Sequence, residues 1–115
     1  MVFSKELIRG SLAPVILRLV EDRPMYGYEM VKLVNARTQG VLEWKEGTLY
    51  PALHKLEAEG LIDGHWQETS TLGGDKSERQ RKYYSITRAG RAERKKRGAE
   101  WTVFTSAVAT LLQKV

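Results

Sequence analysis

The sequence predicts a mainly α-helical chain with one small antiparallel β-hairpin, closed by a long helix. Apolar residues recur at helical spacing in several separate stretches. Residues 62–68 and 81–86 read as two short strands, and the segment between them, 69–80, is polar and contains glycine. From Arg88 onward a charged run passes into an amphipathic one, with Gly98 as its one weak point. At 115 residues the chain is the size of one small domain. It divides by composition into residues 1–87, a compact unit, and residues 88–115, a single helix.

Residues 1–10 form a short arm or helix to which Leu7 and Ile8 give apolar character. Ser11 can cap a helix from Leu12 to about Asp22. Leu12, Val15, Ile16, Leu19 and Val20 then share one stripe. On that reading Pro14 falls in the first turn; if the helix begins near Ser4, Pro14 should kink it. Arg23-Pro24 ends the element. The second helix covers 26–38, with Gly27, Met30, Val31 and Val34 on one face and no strong N-cap. Tyr26 and Tyr28 read as packing residues. Gly40 marks the exit, and Trp44 anchors the turn that follows.

Residues 45–62, KEGTLYPALHKLEAEGLI, organise the chain. Leu49, Ala52, Leu53 and Leu56 make the inward stripe of a third helix. Tyr50, Pro51, His54 and Lys55 lie opposite, with Thr48 at the edge. Thr48 can serve as N-cap, which would put Pro51 in the first turn, where its missing N–H costs little. Gly60 suits a left-handed C-terminal cap. Two helices joined by a turn, the second polar on its outer face, describe a helix-turn-helix.

The first strand, 62–68, places Ile62 and Trp66 on one face and His65 and Gln67 on the other. The second, 81–86, places Tyr84 and Ile86 together. Gly73-Gly74-Asp75 supplies the turn chemistry. A hairpin with a long basic tip, directly after such a helix, is a wing. Thr87 can cap the last helix, which runs to the C-terminus. There Trp101, Phe104, Val108, Leu111 and Val115 recur at spacings of 3, 4, 3 and 4, a heptad seam. A helix from a second subunit suits that seam better than the chain's own domain. With Leu7, Ile8 and Leu112 these are the candidate dimerisation residues.

Charge points to a polyanion. The formal net charge is +5 and the sequence pI is about 9.6. Between Asp75 and Arg97 ten residues are basic and three acidic, so this stretch carries +7 and the remainder −2. Duplex DNA is the expected partner. Thr48, Tyr50, Pro51, His54 and Lys55 are the candidate base contacts, Pro51 through apolar contact alone. Lys45, Lys76, Arg79, Arg81 and Lys82 are the candidate phosphate contacts. Arg94 to Arg97 either approach DNA or solvate the helix. A basic protein–protein module, meeting an acidic partner, is the competing reading.

No enzyme, cofactor or metal site is expected. There is no cysteine, so disulfides and thiolate sites are excluded. His54 and His65 are the only histidines, and a metal site needs three or four spaced ligands. No Ser-His-Asp set is legible. No apolar run reaches the roughly 18 residues of a membrane span, and no signal-peptide pattern precedes the first helix. A cytoplasmic protein is expected.

Three motifs carry a resemblance. GTLYPALHKLEAEGLI (47–62), PMYGYEM (24–30) and RKYYSITRAG (81–90) resemble, in order and spacing, motifs of the PadR family of bacterial transcriptional regulators. The likeness extends over nearly the whole chain and matches the short type with a single C-terminal dimerisation helix. It implies a winged helix-turn-helix, a homodimer, an inverted-repeat operator, repression, and often the regulator's own promoter among its targets. In short members a tryptophan at the similar place lines a cavity between subunits and stacks flat aromatic compounds. By that resemblance Trp101 is the ligand residue, with Phe104 and Val108 lining the site. The SERQ segment (77–80) departs from the family's shorter, arginine-rich wings by adding Glu78.

Overall fold

The computed structural model describes residues 1–68 and 80–113. The elements are α1 (Lys5–Asp22), β1 (Met25–Tyr26), α2 (Gly27–Arg37), α3 (Glu46–Ala58), β2 (Ile62–Glu68), β3 (Gln80–Ile86) and α4 (Arg88–Leu112). The mainly helical fold with a β2–β3 hairpin and a long last helix is the predicted one.

The first helix starts earlier than Ser11. Ser4 is the N-cap, its Oγ accepting the Leu7 N–H at 3.4 Å, while Ser11 Oγ donates back to the Ile8 carbonyl at 2.8 Å. Pro14 therefore lies inside α1, the second of the two arrangements the sequence allows. Extending the helix back packs Ile8 on the core and sets Gly10 beneath Trp101 of α4. Those contacts support the turns before the proline, whose only missing backbone bond points at Gly10.

Strand β1 was not foreseen. Its two residues pair with β3, Met25 with Tyr84 and Tyr26 with Tyr83, so the hairpin is part of a three-stranded sheet in the order β1-β3-β2. The second helix consequently begins at Gly27 rather than at Tyr26. After α2, Gln39 and Gly40 adopt φ of 54° and 80°. Thr38 fixes this turn, donating to the Val34 carbonyl at 2.8 Å and accepting the Leu42 N–H at 3.0 Å. Trp44 is buried in the core, as the sequence implies.

The third helix also starts earlier. Lys45 is its N-cap, with no side-chain cap bond, and its carbonyl accepts the N–H groups of Thr48 and Leu49 at 3.0 Å each. Thr48 is thus inside the first turn and does not cap. Burial of Trp44 decides this: the chain turns there, so the next residue is the half-helical one. Pro51 moves into the second turn, where it faces solvent and leaves the Gly47 carbonyl without its helical donor. At the other end Gly60 has φ 75°, and Leu61 N–H reaches the Leu56 carbonyl at 3.0 Å, the expected left-handed termination.

Strands β2 and β3 pair antiparallel from Ile62↔Ile86 to Glu68↔Gln80. Thr87 then joins the sheet, α3 and α4. Its N–H bonds the Leu61 carbonyl at 3.1 Å, its Oγ1 donates to the Gly60 carbonyl at 2.7 Å, and the same oxygen accepts the Gly90 N–H at 2.9 Å. A Cβ on Gly90 would collide with the Leu61 carbonyl oxygen. Helix α4 runs along α1, tied by Arg94 to Glu21 at 2.9 Å, and extends past the core to give a molecule of 59 × 33 × 21 Å. It ends at Leu112. Among the described residues no helix is long and apolar enough to cross a membrane.

Candidate nucleic-acid interface

Helix α3 is set by its buried side. Leu49, Leu53 and Leu56 are inaccessible to solvent or nearly so. At about 100° per residue this leaves Gly47, Pro51, His54, Lys55 and Ala58 outward, and all five are exposed. Lys45, at the N-cap, is exposed as well, and Thr48 is half-buried at the edge. The face thus presents a cation at each end, an imidazole and an apolar proline ring. Those are groups that read base edges and phosphates in a major groove.

Tyr50 sits elsewhere than the sequence suggests. It is half-buried on the flank of α3 and packs on the core. A Cβ on Gly27 would approach its hydroxyl to 2.9 Å, so the ring lies against the start of α2. Burial pushes the phenol pKa up, and Glu46 adds to the effect. About 100° from Leu49, Tyr50 is beside the apolar stripe rather than opposite it.

The base of the wing is an aromatic and ionic cluster. Tyr26 and Tyr83 meet edge to face at 5.4 Å, and the Arg81 guanidinium lies 4.5 Å from the Tyr26 ring centre. Tyr26 is therefore the packing residue expected, whereas Tyr28 is exposed, with Lys32 Nζ 5.4 Å from its ring centre. Lys82 turns inward: its Nζ lies 2.9 Å from Glu57 Oε1, and Glu57 Oε2 accepts the Gly64 N–H at 3.1 Å. The ammonium of Lys82 is thus paired within the chain. Arg97 pairs with Glu93 at 2.9 Å and Glu59 at 3.3 Å, and Arg94 with Glu21 at 2.9 Å, so both brace α4 on the protein. Gly73-Gly74-Asp75, Lys76 and Arg79 lie outside the described residues, as does Val115.

Glu57 and Gly64 were missed. The signal was present: a glycine inside a strand pattern marks close approach of another group to the backbone.

The second surface is a groove of about 950 Å³ between α1 and α4, lined by Gly10, Ala13, Pro14, Trp101, Phe104 and Ala107 among others. Trp101 is half-buried against Gly10, and Phe104 is exposed. Val108 is exposed but does not line the groove. Leu7, Leu111 and Leu112 are exposed too, while Ile8 is half-buried on the chain's own core.

The comparisons with known proteins speak to these surfaces together. The model of the transcriptional regulator PadR-like family matches residues 16–96. The chain belongs to that family. A PadR-family regulator is a DNA-binding protein rather than an enzyme, and among the described residues no three metal-ligating side chains gather. The chain is 35% identical over 96 residues to an uncharacterised protein of Lysinibacillus sphaericus, covering 84% of this chain and 83% of that one. A solved transcriptional regulator from Clostridium thermocellum is 30% identical with a TM-score of 0.79, over 97% of this chain and 100% of the other. A PadR-family regulator from Eggerthella lenta is 31% identical with a TM-score of 0.74, over 96% and 88%. One from Bacillus cereus, described as PadR-like, is 30% identical with a TM-score of 0.72, over 96% and 99%. The family match begins within α1 and ends within α4, before Trp101, so the residues lining the groove lie outside it.

Proposed function

We propose that this PadR-family chain is a homodimeric repressor in which residues 1–87 bind an inverted-repeat operator and residues 88–115 dimerise. The observation that carries the reading is the bare outer face of α3 beside a three-stranded wing. Pro51, His54 and Lys55 enter the major groove and contact base edges, with Thr48 at the groove's rim. Lys45 and Arg81, together with Lys76 and Arg79 of the wing, meet phosphates and set the register. Tyr50 supports α3 from the side.

Dimerisation is supported by the exposed apolar face of α4. Phe104, Leu111 and Leu112 are 65%, 66% and 82% exposed, and two copies packed along this seam remove them from water. A two-fold dimer presents two copies of α3, so the half-sites lie about one helical turn apart. Selection from a random-sequence duplex pool tests the reading. The enriched sequences are expected to be inverted repeats at that spacing, bound by two chains.

The groove between α1 and α4 suits a planar aromatic effector stacked on Trp101, with Phe104 beside it and Glu100 supplying a carboxylate. An effector regulates by binding the DNA-competent and incompetent states unequally. Titration of the DNA-free chain with a planar aromatic cation, acridine orange, is expected to quench tryptophan fluorescence, and Trp101→Ala is expected to remove that quenching.

A further inference from the structure

Glu57 sits in the last turn of α3, the helix that carries the base-reading face. Its two carboxylate oxygens hold both strands of the wing: Oε1 takes the Lys82 ammonium of β3 at 2.9 Å, and Oε2 takes the Gly64 N–H of β2 at 3.1 Å. Gly64 and Tyr84 are cross-strand partners, and Lys82 Nζ also lies 5.4 Å from the Tyr84 ring centre. A side chain at position 64 would have to push the ends of Lys82 and Glu57 aside. A Cβ there would collide with Lys82 Cε and come within 2.8 Å of Glu57 Oε2. The ion pair thus passes directly over the strand backbone, and a glycine is what lets it pass.

We infer that Glu57, Lys82 and Gly64 form a clamp that sets the angle between α3 and the wing, and that the clamp governs DNA sequence specificity without touching DNA. Two groups, one from each strand of the wing, converge on one carboxylate of α3. The helix reads bases and the wing tracks phosphate, so their relative placement decides whether both can be seated at once. Glu57 and Lys82 are positioning residues. The inference deepens the DNA-binding reading and rests on it.

Simple charge arithmetic makes a different prediction, which allows a clean test. Removing the Glu57 charge beside a DNA-facing surface should tighten binding to any duplex. If Lys82 instead contacted phosphate, Lys82→Met should weaken all DNA equally and lower the salt slope by about one. The clamp predicts otherwise. Glu57→Gln and Lys82→Met should each lower the ratio of affinities for the selected duplex and a shuffled duplex by about tenfold. Affinity for shuffled DNA, and its salt slope, should not fall. The two losses should be non-additive in the double variant.

The charge swap Glu57→Lys with Lys82→Glu should recover part of the lost ratio. A phosphate-contacting Lys82 would instead lose further affinity to the new carboxylate. Circular dichroism shows whether each variant is folded at the assay temperature. In the free protein, Glu57→Gln should speed exchange of the Gly64 amide, a readout independent of DNA. An unchanged selectivity ratio in Glu57→Gln, with the wild type still selecting a sequence, overturns the clamp alone. A wild type that selects no sequence removes the DNA-binding reading and this inference with it.

Discussion

At the scale of single residues the molecule is decided by what lies next to a backbone atom. Gly27 and Gly90 are both buried glycines at the start of a helix, yet their neighbours differ. A Cβ at Gly27 meets the far end of Tyr50, which can rotate away. A Cβ at Gly90 meets the Leu61 carbonyl, which cannot move without breaking its bond to Thr87. Gly27→Ala is therefore expected to cost within about 1 kcal/mol, and Gly90→Ala about 3 kcal/mol. Urea unfolding of the two variants checks the order, and equal costs would contradict it. Glu57 supplies a pH dependence. The hydrogen bond from Lys82, helped by the Gly64 N–H, holds its carboxyl below the ordinary value of 4.5 against a raising effect of burial. A depressed folded pKa gives stability that is present above 4.5 and lost as pH falls through the lowered value. At neutral pH the wild type should exceed Glu57→Gln by about 0.5–1 kcal/mol, the pair being partly exposed. The gap should close on acidification, and a gap that stays constant to low pH would sink this assignment.

Elements show why some of the fold was legible and some was not. The stripes of α2 and α3 were readable because each helix buries one face, and periodicity records that directly. The wing strands were readable from their boundaries and turn residues. Helix starts were misread at Ser11 and Thr48 for one reason: a cap-forming residue type is a local signal, and tertiary packing overruled it. Trp44 fixed the entry to α3, while Trp101 of α4 against Gly10, and Ile8 packed on the core, supported the early turns of α1. Strand β1 was invisible because two residues carry no alternation. Tyr50 lies between the two faces of α3, one residue on from Leu49, where helical spacing alone does not separate core from groove. Lys82 could not be distinguished from the other wing cations, since its partner lies 25 residues away in sequence. The junction of α3, sheet and α4 follows from Thr87, whose hydroxyl both donates and accepts. Thr87→Ala should lose about 1–2 kcal/mol, with faster amide exchange at Gly90. Unchanged exchange at Gly90 would contradict the capping role.

The whole molecule is organised by two faces that one chain cannot cover. On the proposed reading a second copy covers the exposed seam of α4, and a groove of DNA covers the outer face of α3. Phe104→Arg is expected to shift the dimer to monomer in sedimentation and to weaken binding to a two-half-site duplex far more than to a single half-site. An unchanged sedimentation coefficient would place the interface elsewhere. DNA binding by this chain is tested by titrating the wild type against duplex DNA upstream of its own gene and against a shuffled duplex, across a salt series. The predicted result is tighter binding to the upstream fragment by two chains per site, with affinity falling steeply as salt rises. Absence of binding to either duplex at low salt would contradict it.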